Sequence, residues 1–330
     1  MESPKYLSKE STNCMKGIFA IFVLLNHLYI YSGLLHGTYL GTIFQAMGYL
    51  SVGMFFFFTG YGLMFSTKYK KNYMKNFLSK RFLPLYVFYV VLIVLYALYG
   101  RLTGIALTAT TSLVKSLLFG GTIVPFGWYL QVTFLLYLLF YFIYKFIKST
   151  TAQVFILTLC LILYCVISHF CGLATTWYES VFCVVLGMIF SLEKEQIDAI
   201  LNKKAVLIML CSVVLFSICF VGYRIFPLGI IFKIASSLFF AIVTISLAFL
   251  LQNTSVVCNK FTTILGAFSL EIYVSQGFMI ALRKGTNFHI DNPYIFVLCA
   301  IIGTFAISYV MKKIYDQVVW LTLKLVNKTS

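Results

Sequence analysis

Ten apolar runs, each near the length that crosses a bilayer, leave this chain little choice of architecture. A hydrocarbon core about 30 Å thick needs about 20 mostly apolar residues of helix to span it. Runs of that kind cover residues 15–33, 43–66, 82–100, 126–147, 152–170, 177–192, 204–222, 229–251, 263–283 and 294–320. The sixth is the shortest, and the last continues as an amphipathic end. The expected fold is an all-α polytopic membrane protein with about ten transmembrane helices. Composition agrees: 61% of the residues are hydrophobic and 10% charged, where soluble domains have about 45–50% and about 25%.

Loop charge orients such a bundle, because cytoplasmic loops collect Lys and Arg. With the N-terminus in the cytoplasm, 19 of the 25 basic residues fall inside. They include Lys5, Lys9, Lys16, the cluster from Lys68 to Arg81, and Lys312, Lys313, Lys324 and Lys328. Arg101, Lys115, Arg224, Lys233, Arg283 and Lys284 fall outside. Both termini are therefore expected in the cytoplasm. No internal repeat is visible, and residues 1–330 read as one integral-membrane domain without an attached soluble one. The longest outer loop, near 101–125, places Leu113, Leu117 and Leu118 on one side of a helix. That suits either the outer membrane interface or an ordinary packed loop.

The net charge of +16 raises nucleic acid as a partner, but positive-inside loops account for it. The nine cysteines, Cys14 among them, lie mostly in apolar runs. They form no CxxC pair and no zinc spacing, so they are expected as packing residues. The first run begins like a signal peptide. No A-x-A-like site follows it, so it is read as a retained helix.

That first run, MKGIFAIFVLLNHLYIYSG, carries a histidine in lipid-length sequence. His27 lies eleven residues after Lys16, about 16 Å along a helix. Ionisable groups at such depth face a cavity or a partner, and a neutral imidazole can accept a proton. A histidine bonded between helices for structural reasons is the alternative. Further along stand GYLSVGMFFFFTGYGLMF, then FLSKRFLPLY after a basic loop, GWYLQVTFLLY, FCVVLGMIF and FSLEIYVSQGF. In this order, with the histidine in the first segment, the chain resembles the membrane acyltransferase-3 family over nearly its whole length. The ordered set carries the resemblance; no single motif does.

The resemblance implies an O-acyltransferase that takes acyl groups, often acetyl from acetyl-CoA, to extracytoplasmic glycans and related acceptors. It implies a bacterial plasma membrane, an acyl-CoA donor substrate, no permanently bound cofactor and no metal. In the family an Arg precedes the catalytic His by eleven residues. Here His27 matches the His, and Lys16 stands at the Arg, keeping the charge without the bidentate fork. The FF-x-SG element reads Phe57-Phe58-Thr59-Gly60. Of R-x-x-R-x-x-P, Arg81 and Pro84 match and Leu78 replaces the first Arg, with Lys75 or Lys80 nearby. Gln276 stands where the ninth segment's motif often ends in His.

Read physically, Lys16, Lys80 and Arg81 are candidates for the CoA phosphates; orientation by positive charge is the plainer role for most of the lysines. Glycines 48, 53, 60 and 62 allow close approach of a helix or a pantetheine arm. Trp128 and Tyr129 suit either a sugar acceptor or an interfacial belt. Glu271, buried in the ninth segment, is a candidate substrate-binding residue; an isolated carboxylate there must pair, with Lys16 a candidate, sit in water or be protonated. Glu179 at the outer start of the sixth segment is a candidate to orient His27 or to bind an acceptor hydroxyl; a plain interfacial glutamate is its alternative. Asn26, with Thr59 and Ser32, is a candidate for the substrate or its oxyanion. His36, His169 and His289 read as surface residues. His27 then serves as general base or as acyl-carrying nucleophile. Rival readings are a transporter or flippase for a lipid-linked glycan, and a non-catalytic membrane sensor. Repeated halves and broken helices are the marks of transporters, and no repeat is seen.

Overall fold

Long apolar segments in hydrocarbon satisfy their own backbone groups by coiling, and helix is the regular structure this chain adopts. The computed structural model describes residues 5–105, 110–121, 123–227 and 229–329; the side chains of 110–112 and 327–329 are outside that description. The order is α1 Lys9–Ser32, α2 Tyr39–Tyr69, a π-helical turn Leu78–Phe82, α3 Leu83–Thr103, α4 Thr110–Leu117, α5 Trp128–Phe146 and α6 Thr150–Phe170. Then come a 3-10 turn at Thr175–Trp177, α7 Cys183–Leu192, α8 Lys194–Ile225, α9 Gly229–Leu250, α10 Lys260–Ala267, α11 Ser269–Ala281 and α12 Pro293–Thr329. No strand occurs among the described residues. The protein is an all-α, multi-pass membrane protein.

The ten expected spans all find helices, but they do not all become simple spans. Among the described residues, eight helices are long and apolar enough to cross a bilayer. The ninth segment, expected as one helix over 263–283, is broken into α10 and α11, bent by 69°. The sixth is the 3-10 turn followed by α7, whose ten residues rise only about 15 Å. α8 joins the polar stretch 194–203 to the seventh apolar run. The outer loop does form helix α4, with Leu113 and Leu118 exposed; residues 106–109 and 122 of that loop, and the side chain of Lys328, lie outside the described residues.

The chain divides into two compact units. One comprises Met1–Phe19, Tyr49–Lys71 and Ile143–Ala267. Its helices meet at glycines. Gly60 of α2 lies against the backbone of Val184 in α7, and Gly187 of α7 against the Phe57 carbonyl, so a Cβ at either place collides with main chain. Gly17 of α1 packs in the same way on Leu265 and Gly266 of α10. Gly62 has open space around it. Close packing is thus what Gly60 of the Phe57-Phe58-Thr59-Gly60 element supplies, by van der Waals contact where lipid offers no hydrophobic drive. Cys14 is disulfide-bonded to Cys258, with Cα atoms 5.5 Å apart. This corrects the reading of Cys14 as a packing thiol. Tyr6 donates to the carboxylate of Asp198, which also pairs with Lys194. Burial, then Asp198, pushes the Tyr6 phenol up.

The second unit comprises Ala20–Gly48, Asn72–Phe142 and Phe268–Ser330. Its core includes Leu24 and Leu28 of α1, Ile280 of α11, and Phe296 and Ala300 of α12. Gln131 of α5 holds the loop before it, reaching the carbonyls of Ser116 and Gly121 at 2.8 Å. Tyr96 of α3 donates to the Val274 carbonyl and stacks on Phe278, centroids 3.9 Å apart. Gly277 is required there, since a Cβ would lie 2.6 Å from the Tyr96 hydroxyl. These contacts seat α11, the helix that faces His27.

Candidate active site around His27

His27 is buried, 9% exposed, near the middle of the apolar part of α1. Its Nδ1 lies 3.0 Å from Oε1 of Gln276. The Gln276 amide is itself oriented, because Nε2 donates to the Tyr273 carbonyl one turn back at 2.9 Å. Oε1 is an acceptor, so the imidazole carries its proton on Nδ1 and leaves the Nε2 lone pair as its acceptor. The ring stacks on Phe126, centroids 3.6 Å apart and planes 15° apart. Phe126 has φ +61, a left-handed backbone costly for a bulky residue. Its carbonyl accepts from the Tyr273 hydroxyl at 2.9 Å. Tyr129 stands edge-on to the Tyr273 ring at 5.2 Å. Helix α11 therefore grips both the proton-bearing side of the imidazole and the residue that stacks on its face.

Asn26 has a different employment from the one expected. Its Nδ2 donates to the carbonyls of Phe44 and Gln45, each at 3.0 Å. Gly48 leaves room for its side chain, since a Cβ there would lie 2.5 Å from Oδ1. Both amide protons are thus spent in fastening α1 to α2. Thr59 donates to the Phe55 carbonyl at 2.9 Å, and Ser32 Oγ accepts from the Leu34 N–H at 3.1 Å. All three expected oxyanion groups have backbone partners, local ones for Thr59 and Ser32 and partners on α2 for Asn26.

Glu271 begins α11 and is 2% exposed. It pairs with Lys312 of α12, 3.9 Å away. Lys312 also pairs with Asp316 at 2.8 Å. Arg81 lies in the π-helical turn beside the exposed Lys80. π-Turns inside helices often mark functional positions. Arg81 Nε donates to the Tyr137 hydroxyl at 3.2 Å, and its guanidinium carbon lies 5.6 Å from that ring's centroid. Arg81 itself is exposed. Trp128 opens α5, half-buried and edge-on to Tyr129 at 6.3 Å.

Two expected site residues belong to the first unit. Lys16 is half-buried, its ammonium 6.0 Å from the ring centroid of Phe58. Glu179 is 2% exposed and bound to Lys233 at 2.7 Å. Lys233 in turn lies 5.1 Å from the Tyr49 ring. His36, His169 and His289 are exposed.

Sequence reasoning noted Gln276 only as a departure from a motif and did not single out Phe126 or Tyr273. The polar Gln276 in an apolar helix was the available signal. Pro125 and Gly127 on either side of Phe126 mark a turn, but nothing in the sequence puts the left-handed backbone on the phenylalanine itself.

Residues 10–313 match a family described as an acyltransferase domain. No curated protein and no solved structure matches the chain.

Proposed function

The chain belongs to the membrane acyltransferase-3 family, and from that premise we propose that it moves an acyl group, acetyl first among candidates, from cytoplasmic acyl-CoA to a hydroxyl of an extracytoplasmic glycan or related acceptor. The family makes the protein a membrane acyltransferase of the non-aminoacyl kind. The observation that carries the finer reading is the His27–Gln276 bond. It commits Nδ1 as a donor and leaves Nε2 as the atom able to take a proton or an acyl group.

In the general-base route, Nε2 takes the acceptor's hydroxyl proton as the oxygen attacks the thioester carbonyl. The tetrahedral adduct collapses, the C–S bond breaks, and the CoA thiolate takes the proton back from the imidazolium. In the covalent route, Nε2 attacks the thioester and CoA leaves as thiolate; the hydroxyl then attacks the acyl-imidazolium, the C–N bond breaks to restore the neutral imidazole, and the hydroxyl's proton ends on the CoA thiolate. Either way the ring passes through a cationic state. A charged imidazole donates more strongly to Gln276 than a neutral one, so the bond favours that state.

Donor binding is assigned to the inner face, where both termini also lie on the positive-inside count. Arg81 supports it: Nε is used on Tyr137, and the guanidinium's outer edge has the fork geometry that suits phosphate. Lys80 and Lys16 add charge on that side. Trp128 and Tyr129 are assigned to the acceptor side. The membrane is assigned as a bacterial plasma membrane, as family habit suggests.

The test is release of CoA thiol from acetyl-CoA by purified protein with a glycan extract as acceptor. Wild type and His27→Ala run side by side, with folding checked by thermal melting. The expected loss is about 100-fold or more, the usual scale of general acid–base catalysis. Equal rates in two folded proteins would remove His27 from the chemistry.

A further inference from the structure

Helix α8 is not one straight rod. Lys204 interrupts it with φ −138 and ψ 19, where the polar stretch 194–203 gives way to the apolar run from Ala205. The break opens a groove of about 570 Å³ between this bend and the end of α9. Leu201 and Ala205 line it and are buried. Val206, Leu207 and Leu210 line it too, each more than half exposed, with Phe249 and Leu250 opposite. Its polar rim is Asn202, Lys203 and Lys204, and no acidic residue is among the lining. The nearest acid upstream, Asp198, is engaged by Lys194 and Tyr6.

Apolar side chains on the outside of a membrane helix meet lipid tails anywhere. What sets this place apart is the helix break, a recess behind the exposed side chains, and two adjacent cations at the recess's polar end. Lys203 and Leu210 are about 10 Å apart along the helix, so a head group at the lysines has its first acyl carbons against Val206, Leu207 and Leu210. Basic pockets between helices at the cytoplasmic boundary are where anionic head groups bind. We propose that this groove is a specific site for an anionic glycerophospholipid, with its phosphate on Lys203 and Lys204 and one acyl chain laid along α8. The proposal stands apart from the transfer chemistry and does not depend on His27.

The test uses full-length protein in detergent, offered equal amounts of phosphatidylglycerol and phosphatidylcholine. Retained lipid is counted by native mass spectrometry. Wild type is expected to keep phosphatidylglycerol in preference. Lys203→Gln with Lys204→Gln is expected to cut that preference about tenfold or more, the combined worth of two lysines near an anionic surface. Lys145→Gln with Lys148→Gln removes the same charge elsewhere and is expected to leave the preference intact. No preference in wild type, or equal loss in both double variants, overturns the proposal. So does displacement of the bound lipid by millimolar inorganic phosphate alone, which would make this a plain anion site. A photoactivatable phosphatidylglycerol on wild type gives an arm that needs no variant to fold. Label is expected within residues 201–210 or 249–250, and label confined to other segments defeats the assignment.

Discussion

His27 Nδ1 and Gln276 Oε1 stand 3.0 Å apart, and a second bond, from Gln276 Nε2 to the Tyr273 carbonyl, decides which end of the amide faces the ring. The tautomer of the imidazole is therefore set by a backbone carbonyl two bonds removed from it. For histidines that ligate metals, outer partners of this kind typically contribute about 10–100-fold, and a similar scale is expected for this imidazole. Gln276→Leu is expected to lower kcat by about that factor while leaving KM for the acyl donor nearly unchanged. Gln276→Glu, which keeps an acceptor facing Nδ1, is expected to retain most of the rate. Steady-state CoA release on the folded variants checks both. Equal loss with Leu and Glu would mean that shape, not the acceptor, matters at this position.

Glu271 and Lys312 offer a test of the second buried charge. The pair is 3.9 Å apart, with the carboxylate buried and Lys312 about a third exposed. Removing one partner of a fully buried pair costs about 3–5 kcal/mol. The lysine's access to solvent and the length of the contact reduce that to about 1–2 kcal/mol. Lys312→Gln should lower the melting temperature, and Glu271→Gln in the same chain should restore much of it. Thermal melting of the two single variants and the double variant gives the coupling directly. Additive effects would show that the two charges do not sense each other.

The parts of this fold legible in the sequence are those set by burial along one helix. Apolar length found every span because it reports on lipid thickness alone. It could not show the 69° bend between α10 and α11, because a break of one residue leaves the apolar run uninterrupted. His27 was legible because an imidazole in a lipid-length run needs a reason. Its partner was not, since the choice among distant polar residues depends on helix rotation. Lys312 was not legible as a partner of Glu271 for the same cause: several lysines belong to the expected cytoplasmic side, and the sequence does not tell them apart. Asn26 looked like a site residue because polarity alone does not distinguish a group facing substrate from one spent on Phe44 and Gln45.

The Cys14–Cys258 bond joins residues 244 positions apart. A crosslink over a long loop is worth about 2–4 kcal/mol in a soluble chain. A membrane chain already restricted by its bilayer should gain less, about 1–2 kcal/mol. Dithiothreitol is expected to lower the melting temperature of wild type by a few degrees and to change its mobility on a denaturing gel. Cys258→Ser should melt at the reduced wild-type temperature and ignore the reductant. A wild type indifferent to dithiothreitol in both assays would show that the two thiols do not crosslink in the isolated protein.

The glycines of α2 make a sharper test, because two neighbours on one helix are expected to behave oppositely. Gly60 touches the Val184 backbone, whereas Gly62 has nothing within 4 Å of an added Cβ. A methyl group at 60 must push two helices apart, since main chain cannot rotate away as a side chain can. Overpacking of that kind costs about 1–3 kcal/mol, and Gly187→Ala, which meets the Phe57 carbonyl from the other side, should cost a similar amount. At 62 the methyl meets no neighbour, and replacing Gly by Ala within a helix gains about 0.5–1 kcal/mol. Thermal melting should therefore rank Gly62→Ala at or above wild type, with Gly60→Ala and Gly187→Ala well below. Gly60→Ala combined with Gly187→Ala should cost less than the two losses added, because one displacement of α7 from α2 relieves both contacts. If Gly60→Ala melts like wild type, the Phe57-Phe58-Thr59-Gly60 element is not there for packing, and its glycine must be kept open for something that approaches the backbone during the reaction.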